Sequence, residues 1–146
     1  MNEVQISGLL RQDLKTAKQF LGVFAADEVQ HISPKQYPLM FVANTAPRSH
    51  PGKHWVAFHY IKRNHVEFFD SLGKKPELYG FQYKHYTYNS HTLQSHDSSV
   101  CGFYVIYYML CKANGYGMDE IISNFGENTD ANDNAVVSFV QNINTM

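Results

Sequence analysis

The chain has 146 residues, 44% hydrophobic and 17% charged, a size and balance that predict one domain, 1–146, with an ordinary globular core. The formal net charge of -1 lacks the basic excess that a nucleic-acid partner needs, so the charge does not support nucleic acid as a partner. No run approaches the roughly 20 apolar residues that cross a bilayer, and the polar first twenty residues lack the apolar centre of a signal peptide; no membrane association and an intracellular, reducing location are the expectation.

Residues 5–20 carry Leu9, Leu10, Leu14, Ala17 and Phe20 or Leu21 at near-helical spacing and predict a first helix, which Gly22 ends. A short second helix is expected from Ala26 or Asp27, and Pro34 and Pro38 break the chain after it. The apolar run 38–45 has strand length, and 46–53, with two Pro and one Gly, reads as a loop. Residues 54–61 and 65–70 are rich in aromatic and β-branched side chains on either side of a polar Lys62-Arg63-Asn64, a β-hairpin signal. A turn-containing connection follows at 71–80, an alternating aromatic strand at 81–89 and a polar loop at 91–99. Residues 101–115 read as a strongly apolar helix capped by Asp97, Ser98 or Ser99 and stopped by Gly115. A helix or turn is expected at 118–125 and a last amphipathic helix at 132–143.

The hairpin register bears on chemistry. A three-residue loop from Ile61 to Arg63 sets Phe58 opposite Val66, Val56 opposite Phe68 and His54 opposite Asp70. Alternation puts these side chains on one face, and directly opposed residues hold their Cβ atoms roughly 4.5–5.5 Å apart. An imidazole then meets a carboxylate; a loop of even length removes the direct pairing.

Cys101 opens the apolar helix, where the positive end of the helix dipole lowers a thiol's pKa and favours the nucleophilic thiolate. His54, directly after the Pro/Gly loop, is the candidate base, and Asp70 the carboxylate that holds its ring in one tautomer. Gln94, in the polar loop, offers an amide to a developing oxyanion beside the Cys101 backbone N–H. Gly102 leaves room for a substrate backbone next to the nucleophile.

Each residue alone has a plainer reading. A cysteine at a helix start is more often a small buried hydrophobe, and one of 8 His is more often core or surface. An Asp before Ser-Leu-Gly can simply cap a turn, and an exposed Gln is unremarkable. It is the His-Asp-Gln-Cys order, together with the hairpin register, that points to a cysteine protease. His50, His54, His59 and His65 cluster in sequence, but His59 falls on the face opposite His54, and His91 and His96 lack a helical i, i+4 spacing. No metal site and no cofactor are expected. Cys111 lies ten residues after Cys101, about 15 Å along a helix and about 80° around it, too far for a disulfide, and reads as a buried helix residue.

Three stretches resemble the adenovirus protease (adenain) family: ANTAPRSHPGKHWVAFHY at 43–60, FFDSLG at 68–73 and LQSHDSSVCGFYVIYYM at 93–109. The likeness extends over roughly 15–112. It implies an α+β fold, a small central mixed sheet packed by helices, with the catalytic Cys101 at the N-terminus of a buried helix. It also implies His54, Asp70, Cys101 and Gln94 as the catalytic set, with Trp55 and Gly102 along the substrate groove. The family lies in a broader group with the SUMO-deconjugating proteases, and Asp70-Ser71-Leu72-Gly73 is closer to that branch, because adenain has Glu at the orienting position. The mixture is similar to proteases of virus-like DNA transposons and small viruses. The function implied is cleavage after glycine in viral structural precursors during particle maturation, by a monomer acting inside the host cell, in nucleus or cytoplasm, or packaged in virions. No cysteine stands between 81 and 93 to receive a disulfide-linked activating peptide, which leaves room for a noncovalent one. The alternatives are an isopeptidase acting on ubiquitin- or SUMO-like tails, and a catalytically silent binding module of the same fold.

Overall fold

The structure is a computed structural model in which residues 1–144 are described. The described residues form helices α1 (Glu3–Gln12) and α2 (Leu14–Gln19), strand β1 (Phe20–Phe24), a 3-10 turn (Ala26–His31), and strands β2 (Leu39–Asn44), β3 (Trp55–Lys62) and β4 (His65–Phe69). A second 3-10 turn (Pro76–Tyr79), strand β5 (Tyr86–Tyr88) and helices α3 (Cys101–Ala113), α4 (Met118–Ser123) and α5 (Thr129–Asn144) complete them. No helix among these residues is long and apolar enough to cross a membrane.

The first expected helix is in fact two helices and a strand. Asp13 leaves the helical path, and its carboxylate accepts from the Thr16 backbone N–H at 3.0 Å and hydroxyl at 2.6 Å, capping α2. Gly22 does not stop a helix: Phe20, Val23 and Phe24 suit a strand, and β1 pairs in parallel with the wholly buried β2.

The sheet runs β1-β2-β3-β4-β5, parallel at both edges and antiparallel in the middle, so it is mixed. One face carries Met40, Val42, Ala57 and Phe69 against α3, with α1 and α5 packed around that helix. Phe69 stacks on Tyr108 of α3 at 4.6 Å between ring centroids. The other face is aromatic, with Phe41 stacked on Phe58 at 4.8 Å and Phe68 and Phe81 edge-on or tilted beside it. Burying each large apolar side chain contributes about 1.5–3 kcal/mol, so two packed faces fix where β3 and β4 end.

The hairpin register differs from the expected one by two residues. Phe58 faces Phe68 and Tyr60 faces Val66, with an irregularity between Tyr60 and Lys62 and a tight turn at Arg63-Asn64. The extra residue is taken up as a bulge, which shortens the turn. A two-residue slip keeps every side chain on its own face, whereas a one-residue slip would have exchanged them. His54 and Asp70 therefore meet diagonally across the ends of the strands. The expected strand 81–89 pairs only at Tyr86–Tyr88.

Helix α3 starts at Cys101 as expected, but without the expected cap. Val100 is the N-cap residue and no side chain caps the helix. Ser98 is occupied elsewhere: its hydroxyl donates to Ser95 O at 2.9 Å and accepts from Gln94 Nε2 at 3.2 Å. The exit matches expectation, with Gly115 in the left-handed region at φ 96°.

Candidate active site

The loop before His54 is tied down from three sides. Asn44, at the end of β2, accepts from Ala46 N at 2.9 Å and Lys53 N at 3.0 Å through Oδ1. Thr45 N donates to His54 O at 2.9 Å. Arg48 pairs with Glu3 at 3.0 Å and Glu28 at 2.7 Å, and its backbone N–H donates to Asp27 at 2.8 Å. These ties set the backbone of His54 just ahead of β3.

Asp70 follows β4 directly and is fully buried. Its Oδ1 accepts from His54 Nε2 at 2.6 Å and Leu72 N at 3.0 Å. Its Oδ2 accepts from the Tyr79 hydroxyl at 2.6 Å and Lys74 N at 3.2 Å. Asn89 braces the same residue's backbone, accepting from Asp70 N at 2.9 Å and donating to Asp70 O at 2.6 Å. The turn closes through Gly73, whose N–H bonds Asp70 O at 2.8 Å. Gly73 has φ 73°, and a Cβ there would lie 2.8 Å from the His91 backbone, so both conformation and space require glycine. A buried carboxylate held by neutral donors keeps its charge uncompensated except by the imidazole beside it.

With Nε2 committed to Asp70, Nδ1 is the ring nitrogen left for another partner, and the Cys101 thiol lies close enough to act on the ring. The Cys101 Sγ also accepts from Trp55 N at 3.4 Å. Burial works against charge on the His54 ring, but hydrogen bonds to Asp70 and Cys101 outweigh it and push the pKa up to about 9. Burial likewise raises the Cys101 thiol, and here the His54 hydrogen bond and charge, with the Trp55 and Gly102 backbone N–H groups, bring it below its ordinary value. The two shifts together favour a thiolate–imidazolium pair.

Gln94 is brought to the same place by the residue after Asp70. Ser71 O accepts from Leu93 N at 2.8 Å and Gln94 N at 3.0 Å, and the Ser71 hydroxyl donates to Gln94 Oε1 at 2.6 Å. The Gln94 amide nitrogen donates to Ser98 O at 3.1 Å. Helix α5 anchors the loop from beneath, as Asn132 Nδ2 donates to Leu93 O at 3.0 Å. A cavity of about 640 Å³ opens over this arrangement, lined by His54, Trp55, Cys101, Gln94, Asn44 and Leu72 among others.

The structure thus brings His54, Asp70, Cys101, Gln94 and Trp55 together. Gly102 is placed differently: a Cβ on it would lie 3.0 Å from Met1 Cβ and 3.5 Å from Trp55 Cδ1. The missing side chain makes room for Met1, whose carbonyl accepts from Trp55 Nε1 at 3.0 Å. Tyr79, Asn89, Asn44 and Ser71 were not singled out from the sequence. Each acts through partners distant in sequence or through backbone, and no spacing pattern announces that. Among the described residues no cluster of His, Cys, Asp and Glu could hold a metal ion.

The fold is one that a known protease has. The chain superposes on the ASFV pS273R protease with a TM-score of 0.57 and 18% identity, over 91% of this chain and 64% of that one. It therefore spans less than two thirds of that protease's length. It also superposes on the central domain of the uncharacterized Lpg1148 protein from Legionella pneumophila, with a TM-score of 0.52 and 13% identity over 98% of each chain. No protein-family profile and no curated protein matches the sequence.

Proposed function

We propose that this chain is a cysteine endopeptidase of the adenain-like type, with Cys101 as nucleophile, His54 as base and Asp70 as the group that orients the base. The observation that carries the reading is the hydrogen bond at 2.6 Å between His54 Nε2 and buried Asp70, with the Cys101 thiol beside the same imidazole at the start of α3, on the wall of a cavity. The thiolate attacks a peptide carbonyl to give a tetrahedral oxyanion. The Cys101 N–H and Gln94 Nε2 stabilise that charge, the glutamine exchanging its Ser98 contacts for the oxyanion. Protonated His54 gives its proton to the leaving amine. A water deprotonated by His54 then hydrolyses the thioester and restores the thiol pair.

The substrates are polypeptides, cut after glycine, and the expected ones are structural precursors of a virus or virus-like element processed during particle maturation in the host cell. This rests on the resemblance at 43–60, 68–73 and 93–109, supported by the protease fold. Asp70, in place of the Glu of adenain, favours one second reading: an isopeptidase for modifier tails ending in Gly-Gly.

The test is cleavage of a peptide library by wild type and Cys101→Ala, with cut sites read by mass spectrometry. Cuts clustered after glycine and missing in the variant are expected. Cuts that persist in Cys101→Ala contradict the proposal, and a wild type that releases only a modifier's C-terminal reporter favours the isopeptidase.

A further inference from the structure

We infer that Asn44 is a substrate-binding residue of this cavity, whose Oδ1 holds the loop before His54 while its Nδ2 donates to a main-chain carbonyl of the bound polypeptide. The inference rests on the cysteine-protease reading and adds a contact to it. Asn44 ends β2 directly opposite Trp55, one position from His54. Its side chain lines the cavity, yet the residue is only 7% exposed. The orientation of the amide is dictated chemically. Ala46 N and Lys53 N both donate to one side-chain atom, at 2.9 and 3.0 Å, and only the oxygen can accept from two N–H groups. The nitrogen therefore sits on the other side of the group and carries two donors.

Those donors have no hydrogen-bond partner among the described residues, and Nδ2 is not sealed in the core, where only His59 Nδ1 is buried without a partner. The donor thus stands on the cavity side of a residue that is otherwise fully used. Gly52 borders it, and a Cβ there would come to 3.0 Å from Asn44 Nδ2. Glycine keeps the approach to the amide clear. An extended polypeptide entering the cavity strips water from its main-chain carbonyls, and each needs a new donor. A neutral amide at the wall supplies one irrespective of the substrate's side chains, so the contact contributes binding without selecting sequence.

The experiment compares Asn44→Asp with wild type on library peptides that wild type cuts. Aspartate keeps an acceptor for Ala46 N and Lys53 N and replaces the donor by an acceptor. KM is expected to rise roughly tenfold, the size of one lost neutral hydrogen bond, by a similar factor for peptides of different sequence, with kcat at the pH plateau within about twofold. A change in the pH limbs with no change in plateau KM would show only an added charge and overturns the inference. A second readout avoids the substitution: in isotope-labelled Cys101→Ala, the Asn44 side-chain amide resonance is expected to move and saturate as the same peptide is added. An unmoved resonance on a bound peptide overturns the inference as well. If wild type cuts no peptide, the protease reading itself fails and the inference falls with it; active wild type with an unchanged KM in Asn44→Asp overturns the inference alone.

Discussion

A histidine and a carboxylate meet twice around strands β3 and β4, once within them in the middle of the sheet and once just beyond their ends, where His54 precedes β3 and Asp70 follows β4. In the middle, His59 and Glu67 are cross-strand partners, but no hydrogen bond joins them among the described residues. Glu67 accepts from the Tyr108 hydroxyl and pairs with Lys112 at 3.1 Å, while His59 Nε2 meets Gln19 Oε1 at 3.2 Å. Burial, with Lys112 beside it, holds the His59 pKa down at about 4. At the end of the sheet, no lysine ammonium pairs with Asp70 among the described residues; its other donors are neutral, and His54 is pushed up to about 9. The two histidines are pushed in opposite directions: burial prevails at His59, which has no hydrogen bond to Glu67 among the described residues, whereas Asp70 and Cys101 together outweigh burial at His54. The central pair is closed under α3, whereas the terminal pair opens on a cavity and a thiol.

The largest expected effect that sharpens this contrast is at Asp70. Asp70→Asn should lower kcat by on the order of 10³–10⁴, because the amide can bind the imidazole in the wrong tautomer. The alkaline limb of the rate profile should also fall from about 9, since the Asp70 hydrogen bond and charge hold it there. An unchanged profile removes Asp70 from the mechanism. Gln94→Ala should cost on the order of 10²–10³ in kcat, and steady-state kinetics on one cleaved peptide measures it. If Ser98 keeps the amide throughout turnover, the loss will be absent. Glu67→Gln should leave kcat per folded molecule unchanged yet cost about 3 kcal/mol of stability, because Lys112, whose side chain is only 11% exposed, loses its charged partner. Denaturant unfolding reads that directly, and a loss of kcat would break the division between the two pairs.

The smallest effect is in acid stability. His59 has a folded pKa of about 4 against an ordinary 6.5, so the unfolded chain takes up its proton first as pH falls. The stability its neutral form contributes is full above about 6.5 and is lost between there and about 4. His54 has the opposite sign: its contribution is full below about 6.5 and is lost as pH rises through about 9. His59→Phe should flatten the acid decline of the unfolding midpoint, and an identical decline would assign it to other groups.

The contrast also marks what can be read from residues alone. Alternation in 54–61 and 65–70 is a property of the backbone period, so the faces of β3 and β4 were legible even though the bulge at Tyr60–Lys62 moved the register by two. Helix α3 was legible from its apolar run and Gly115, but the absence of a side-chain cap was not, because Ser98 is claimed by Gln94 and Ser95. The break at Asp13 was hidden because Leu14 and Ala17 continue the helical spacing while the cap bond from Thr16 starts a second helix. In the site, His54, Asp70 and Cys101 stand at element boundaries that local sequence defines. Tyr79, Asn89 and Asn44 depend on tertiary partners, and an ordinary Tyr or Asn in a loop carries no such sign.

The central claim is that Cys101 and His54 form a thiolate–imidazolium pair, and the most direct measurement is a pH titration of the Cys101 thiolate by ultraviolet absorbance, as the difference between wild type and Cys101→Ala. The account predicts a thiolate that appears below the ordinary thiol value of 9.0, beside an imidazolium that keeps its proton until near 9. A Cys101 thiol that titrates at or above its ordinary value would contradict it.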